Sequence, residues 1–268
     1  MVKLQRSAVE KPWGRTDLDP VFGTSSAQRV GEIWFTHAEL ADPPLLVKYI
    51  FTSENLSVQV HPSDDEARAR GLASGKNESW YILNADDGAR LGLGLKAAVT
   101  EDELRAAAIN GSIEQMLDWR PVEAGDFFYV PAGTIHAIGA GIALMEIQQN
   151  ADVTYRLYDY GRPRELHLDD AVSVSQRKPY VGHSIINSST SNDRILVDEA
   201  SFSVIRASST EGIPQSLASR QRWVMPLHGS ASSGTEGASI GECLLLQPRA
   251  PLSLSPDALV LVAVAGRI

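Results

Sequence analysis

The sequence predicts an all-β-dominated protein: a sandwich or barrel with short helical insertions, followed by a second, smaller β unit. Three observations carry this. Short apolar segments of strand character recur along the chain, separated by Gly, Pro and Asp turns. Only two stretches carry helix signals. After about residue 185 the texture shifts to Ser- and Gly-rich loops between further strands. The expected division is 1–186 and 187–268, with the polar run "NSSTSND" (187–193) as a linker. A chain of 268 residues suits one large β domain or two smaller ones, each able to bury a core.

The first strands are expected at 31–37, 45–51 and 56–61. The stretch "SDDEARARGLA" (63–73) then opens with Ser and acidic residues, a helix N-terminal signal. A strand follows at 79–84. The stretch "TEDELRAAAINGSIEQML" (100–117) begins with a capping box and reads as a second helix. Strands are expected again at 126–131, 142–149 and 154–160. Beyond 187 the strand candidates are 201–208, 222–232, 241–248 and 258–266. Many short strands with regular turns point to a sandwich or barrel.

Composition removes several classes of function. Hydrophobic residues make up 43% and charged residues 21%, as in ordinary globular proteins. No run of about 18 apolar residues marks a membrane span, and the start "MVKLQRSAVEKPWG" has no signal-peptide core, so a cytoplasmic location is expected. The net charge of −9 argues against a broad nucleic-acid surface, and makes a few focused cations more telling. The single cysteine, Cys243, rules out an internal disulfide and a thiolate-rich metal site. It lies in an apolar strand pattern and reads as a buried, inert thiol.

Four places carry chemistry. In "LSVQVHP" (56–62), alternation puts Val58 and Val60 on one strand face and Ser57, Gln59 and His61 on the other. On water this is an ordinary half-exposed strand; inside a barrel the amide and imidazole need partners. In "GKNESWYIL" (75–83), Lys76 and Glu78 share a face if the segment is extended, although a solvated turn is the plainer reading. In "GDFFYVPAGTIHAI" (125–138), Gly and Pro set a tight turn that delivers His136 at the start of a strand. In "MEIQQNADVTYRLYDYGR" (145–162), Glu146 and Gln148 share a strand face, and Asp152 and Arg156 follow in an aromatic-rich stretch. Two imidazoles, a carboxylate and an amide oxygen form a mixed N/O set that suits Zn²⁺ and other first-row divalent metals. Lys76 and Arg156 supply positive charge suited to phosphate or developing oxyanions. His37, His167, His183 and His228 lack motif context and read as surface or satisfied core residues.

These motifs together resemble the type I mannose-6-phosphate isomerases in their short bacterial form, members of the cupin superfamily. The pieces are "KPWG" (11–14), "LSVQVHPSD" (56–64), "GKNESWYIL" (75–83), "VPAGTIHAIG" (130–139) and "EIQQNADVTYRLYDYGR" (146–162). They stand in the family's order and span most of residues 10–170. The resemblance implies a cupin (jelly-roll) barrel with a second cupin-like domain. It implies one Zn²⁺ per chain held by Gln59, His61, Glu78 and His136. It also implies a catalytic arginine at Arg156, an active-site lysine at Lys76, and acidic residues near the arginine at Glu146 and Asp152. The implied reaction interconverts mannose 6-phosphate and fructose 6-phosphate through a cis-enediol(ate). The implied partner is a small sugar phosphate, with no nucleic acid or membrane, and the chain is expected as a monomer or homodimer.

The sequence departs from the family in having Arg15 where a second Gly is usual, in a short second domain, and in lacking the helical insertion of longer members. The alternatives are an Fe²⁺ oxygenase cupin, which usually has two His on the first motif strand where this chain has Gln59; a sugar-binding or regulatory cupin, which should lack Arg156 or Lys76; and an isomerase of another phosphosugar.

Overall fold

The computed structural model describes residues 1–23, 25–38, 40, 42–185 and 193–268. A seven-stranded antiparallel sheet orders Ser184–Ile185, Phe127–Val130, Glu78–Ala85, Ile142–Gln149, Leu45–Phe51, Ser25–Thr36 and Gln5–Asp17. A five-stranded sheet orders Tyr155–Tyr158, Val58–Val60, His136–Ile138, Arg90–Leu95 and Leu117–Pro121. The two pack face to face, with Ile50, Trp80, Ile82 and Leu144 of the first against Leu91, Leu93 and Ile138 of the second.

The period-2 alternation of each strand decides what enters this interior. On Leu45–Phe51, Val47, Tyr49 and Phe51 pack on the outer face, while Lys48 and Ile50 point in. On Ile142–Gln149, Ala143, Met145 and Ile147 pack outside, while Leu144, Glu146 and Gln148 point in. Val58 and Val60 are fully buried beneath helices, in one cluster with Leu104, Ala107 and Val172. Gln59 therefore faces the interior. One end of the barrel is filled by aliphatic side chains and the other by polar ones.

Both expected helix starts are present. Ser63 and Thr100 are N-caps with complete capping boxes to Glu66 and Glu103. The first helix is short, Asp64–Ala69. The second stretch is two helices, Glu101–Asn110 and Ile113–Met116, because Gly111 adopts φ +82° as a left-handed cap. A side chain there would also meet the Tyr158 ring at 3.1 Å. A fourth helix, Leu168–Val174, has no counterpart in the sequence reading. It lies over the five-stranded sheet through Ala171, Val172 and Val174.

The C-terminal strands form a six-stranded sheet, which Val2–Lys3 joins by pairing with Leu244 and Leu245. Phe202, Trp223, Met225 and Leu261 pack against the outer face of the seven-stranded sheet. Cys243 is fully buried there, and burial pushes its thiol pKa up, as expected of an inert group. The expected linker 187–193 lies outside the described residues except for Asp193.

Candidate metal centre

Strand register brings the sequence motifs together. His136 stands opposite Gln59, Gln59 opposite Arg156, and Gln148 opposite Glu78. His61, Glu78 and His136 are each at most 2% exposed, and their ligand atoms all lie within 4.8 Å of one another. His61 Nε2 is 2.7 Å from Glu78 Oε1, and His136 Nε2 is 3.8 Å from Glu78 Oε2. The Gln59 amide is 3.3 Å from His136 Nε2, so a half-turn of that amide presents its oxygen to the same point.

The second ring nitrogen of each histidine fixes its tautomer. His61 Nδ1 donates to the Val153 carbonyl at 2.8 Å, and His136 Nδ1 donates to the Thr134 carbonyl at 2.9 Å. Both Nε2 lone pairs then face the cluster, as metal-ligating imidazoles require. Burial and the nearby Lys76 ammonium push the His61 pKa down to about 3. Burial lowers that of His136 as well. Burial alone would raise Glu78, but Lys76 and the histidines outweigh it and hold the carboxylate well below its usual range. Two neutral imidazoles and a carboxylate converge, and neither carboxylate oxygen has a well-formed hydrogen bond. The Lys76 ammonium, 2.7 Å from Glu78 Oε1 and 3.4 Å from His61 Nε2, offsets part of the repulsion among these lone pairs, and a metal ion would offset it more fully. His61, Glu78 and His136 can therefore hold a metal ion.

This electrostatics predicts a pH effect on the chelated protein. Between about pH 6.5 and 3 the unfolded chain protonates its imidazoles while native His61 stays neutral. The unfolded state then binds more protons, so stability falls as pH falls through this window. The slope is up to about 1.4 kcal/mol per pH unit for each such histidine. The expected result is a melting temperature several degrees lower at pH 5.5 than at pH 7.5. A flat profile over that range would refute the neutral-imidazole assignment.

The cluster adjoins an open cleft of about 790 Å³, its mouth included. Gln59, Lys76, Glu146, Gln148, Asp152 and Arg156 line it. Lys76 Nζ reaches Glu78 Oε1 at 2.7 Å, so the lysine links cleft and cluster. Arg156 is held by its strand: its N–H donates to His167 Nδ1 at 3.3 Å, which gives His167 a structural role. Burial and the neighbouring Arg164 lower the Arg156 pKa. Every site residue expected from the sequence therefore lies at the cluster or along the cleft.

The structure adds residues that the sequence reading passed over. Lys48 Nζ lies 2.7 Å from Glu146 Oε2 and 3.9 Å from Glu32 Oε2. Lys11 stands 3.3 Å from Glu32 Oε1, and Trp80 Nε1 donates to Glu146 Oε1 at 2.9 Å. Arg164 also lines the cleft, its guanidinium clamped by both oxygens of buried Asp159 at 2.6 Å. The signal for Lys48 was available: it is the lone charge within the otherwise apolar strand Leu45–Phe51, whereas the strand of Glu32 also carries Arg29 and several polar residues.

A jelly-roll barrel with an inward-facing histidine–carboxylate cluster beside an open cleft defines a cupin with a metal-capable site. No family model matches the chain. Bacillus subtilis YvyI, a putative mannose-6-phosphate isomerase, is 33% identical over 70% of this chain and 72% of its own length. B. subtilis ManA, a mannose-6-phosphate isomerase, is 38% identical over 62% of this chain. The mannose-6-phosphate isomerase of Streptococcus mutans is 44% identical over 49% of it. The matched parts span 64% of ManA and 43% of the S. mutans protein, less than two thirds of either. The crystal structure of B. subtilis mannose 6-phosphate isomerase superposes with a TM-score of 0.79 at 27% identity, covering 97% of this chain and 98% of that one. The chain belongs to the type I mannose-6-phosphate isomerase family.

Proposed function

We propose that this chain is a zinc-dependent aldose–ketose isomerase that interconverts mannose 6-phosphate and fructose 6-phosphate. The observation that carries this reading is the convergence of His61, Glu78 and His136 at the wall of a cleft that also presents Lys76 and Arg156. In this reading residues 1–186 carry the site and 187–268 form the β unit behind it. The ligands are His61, Glu78, His136 and the Gln59 amide oxygen. Zinc, when bound, supplies Lewis acidity toward the C1 and C2 oxygens of the open-chain sugar.

The chain's own groups supply the rest. The reaction moves a proton between neighbouring carbons through a cis-enediol(ate), so one base must reach both. Lys76, Glu146 and Asp152 line the cleft and are the candidates. Arg156, fixed by its strand, stabilises the oxyanion that develops. Arg164 adds a second guanidinium for a sugar phosphate.

A coupled assay for fructose 6-phosphate formed from mannose 6-phosphate tests the reading. Turnover is expected in the zinc-loaded protein, absent after chelation and restored by Zn²⁺. A folded, zinc-loaded protein without turnover on this pair would overturn it.

A further inference from the structure

We propose that Asn77 and Gln149, two amides outside the cleft, form a positioning clamp that sets the geometry of the metal centre. The proposal rests on the metal-binding reading above. Asn77 lies between Lys76 and Glu78, which pair with one another. Its Oδ1 accepts from the Ala132 N–H at 2.9 Å, in the Pro131–Gly133 turn that delivers His136. Its Nδ2 and backbone N–H both donate to Gln149 Oε1, at 2.6 and 2.9 Å. The Gln149 N–H returns a bond to the Asn77 carbonyl at 3.1 Å.

The clamp extends to the third ligand. Gln149 Nε2 donates to Asp64 Oδ1 at 3.0 Å, and the same oxygen accepts from the Gly75 N–H at 2.8 Å. Asp64 stands three residues after His61. Gly75 has no room for a side chain, since a Cβ there would lie 2.4 Å from the Ser63 backbone. The turn is tied to His61 directly as well, through Gly133 N–H to the His61 carbonyl at 2.8 Å. The backbones carrying His61, Glu78 and His136 thus meet at one amide pair, and Gln149 is only 8% exposed. A metal centre tolerates little drift in ligand spacing, so groups that fix backbones set affinity without touching the ion.

The test is Zn²⁺ affinity by chelator competition, at a temperature where every variant is folded. The variants are Asn77→Ala, which removes the side-chain bonds, and Asn77→Asp. Asp keeps the Ala132 acceptor but sets an oxygen against Gln149 Oε1. Turning the Gln149 amide is no remedy, because it would deprive the Asn77 N–H and face Asp64 with an oxygen. Both variants are expected to bind zinc about 10- to 100-fold more weakly. Asn77→Ser, a milder change that loses the reach to Gln149, serves if Asn77→Ala does not fold, and a several-fold loss is then expected. Unchanged affinity in folded variants would overturn the clamp, even if their chelated forms melt lower, because the amides would then be ordinary scaffold. Absence of zinc binding by the unaltered protein would instead remove the metal reading itself.

Discussion

Glu78→Gln is expected to empty the metal centre and to lower isomerase turnover by about 1,000-fold or more, the scale lost when stabilisation of transition-state charge is removed. Glu78 is the sole carboxylate of the cluster, and its two oxygens face His61 and His136. With a neutral amide there, the ligand set has no anion to offset the cost of desolvating a divalent ion. The change is nearly isosteric and Lys76 keeps an oxygen at its 2.7 Å contact, so the barrel should still fold, at a lower stability because buried Lys76 loses the charge it pairs with. Metal per chain after dialysis, measured with the assay above, checks it. A variant that retains one zinc per chain would place the ligand set elsewhere.

The second large effect is on stability. Glu146→Gln should cost about 3 kcal/mol, because it leaves the Lys48 cation buried with Glu32 alone, at 3.9 Å. Burial disfavours the Lys48 charge, yet Glu146 and then Glu32 outweigh it and raise its pKa. Burial and the nearby Glu78 raise the pKa of Glu146, so this pair depends on its direct 2.7 Å contact. The substituted amide would still accept from the Trp80 indole, which isolates the charge as the difference. Replacing both partners, Lys48→Met with Glu146→Gln, should recover most of the loss, since the cation that Glu146 neutralised is then gone as well. Urea unfolding of the two single variants and the double variant reads this cycle. A Glu146→Gln protein as stable as the parent would mean that the pair carries no net stability.

Much of the site was legible because alternation is a local property. One strand period put Gln59 and His61 on a face opposite Val58 and Val60, and the same rule paired Lys76 with Glu78 and Glu146 with Gln148. The Gly–Pro turn before His136 was legible for the same reason. The capping boxes at Ser63 and Thr100 marked both helix starts, being hydrogen bonds closed within four residues. The split at Gly111 was less visible, since a helix tolerates a lone glycine unless a neighbour such as Tyr158 occupies the space its side chain would need. The helix Leu168–Val174 has neither a capping side chain nor a long apolar period, and it is held by the sheet beneath it.

By itself, then, the sequence determined many of the strands, which of the residues it singled out share a strand face, and the chemistry that a mixed imidazole–carboxylate–amide set can perform; the strands Gln5–Asp17 and Arg90–Leu95 were not among those expected. Tertiary structure decided which inward residues meet. Lys48 and Glu146 are 98 positions apart in number and opposite one another in register, and no pattern within either strand encodes that pairing. The Asp159–Arg164 clamp and the Asn77–Gln149 amide pair depend likewise on how strand ends and loops are seated in the folded chain. Alternation fixes a side chain's face, but the partner across the barrel is set by sheet order and register, which arise only when the whole chain closes on itself.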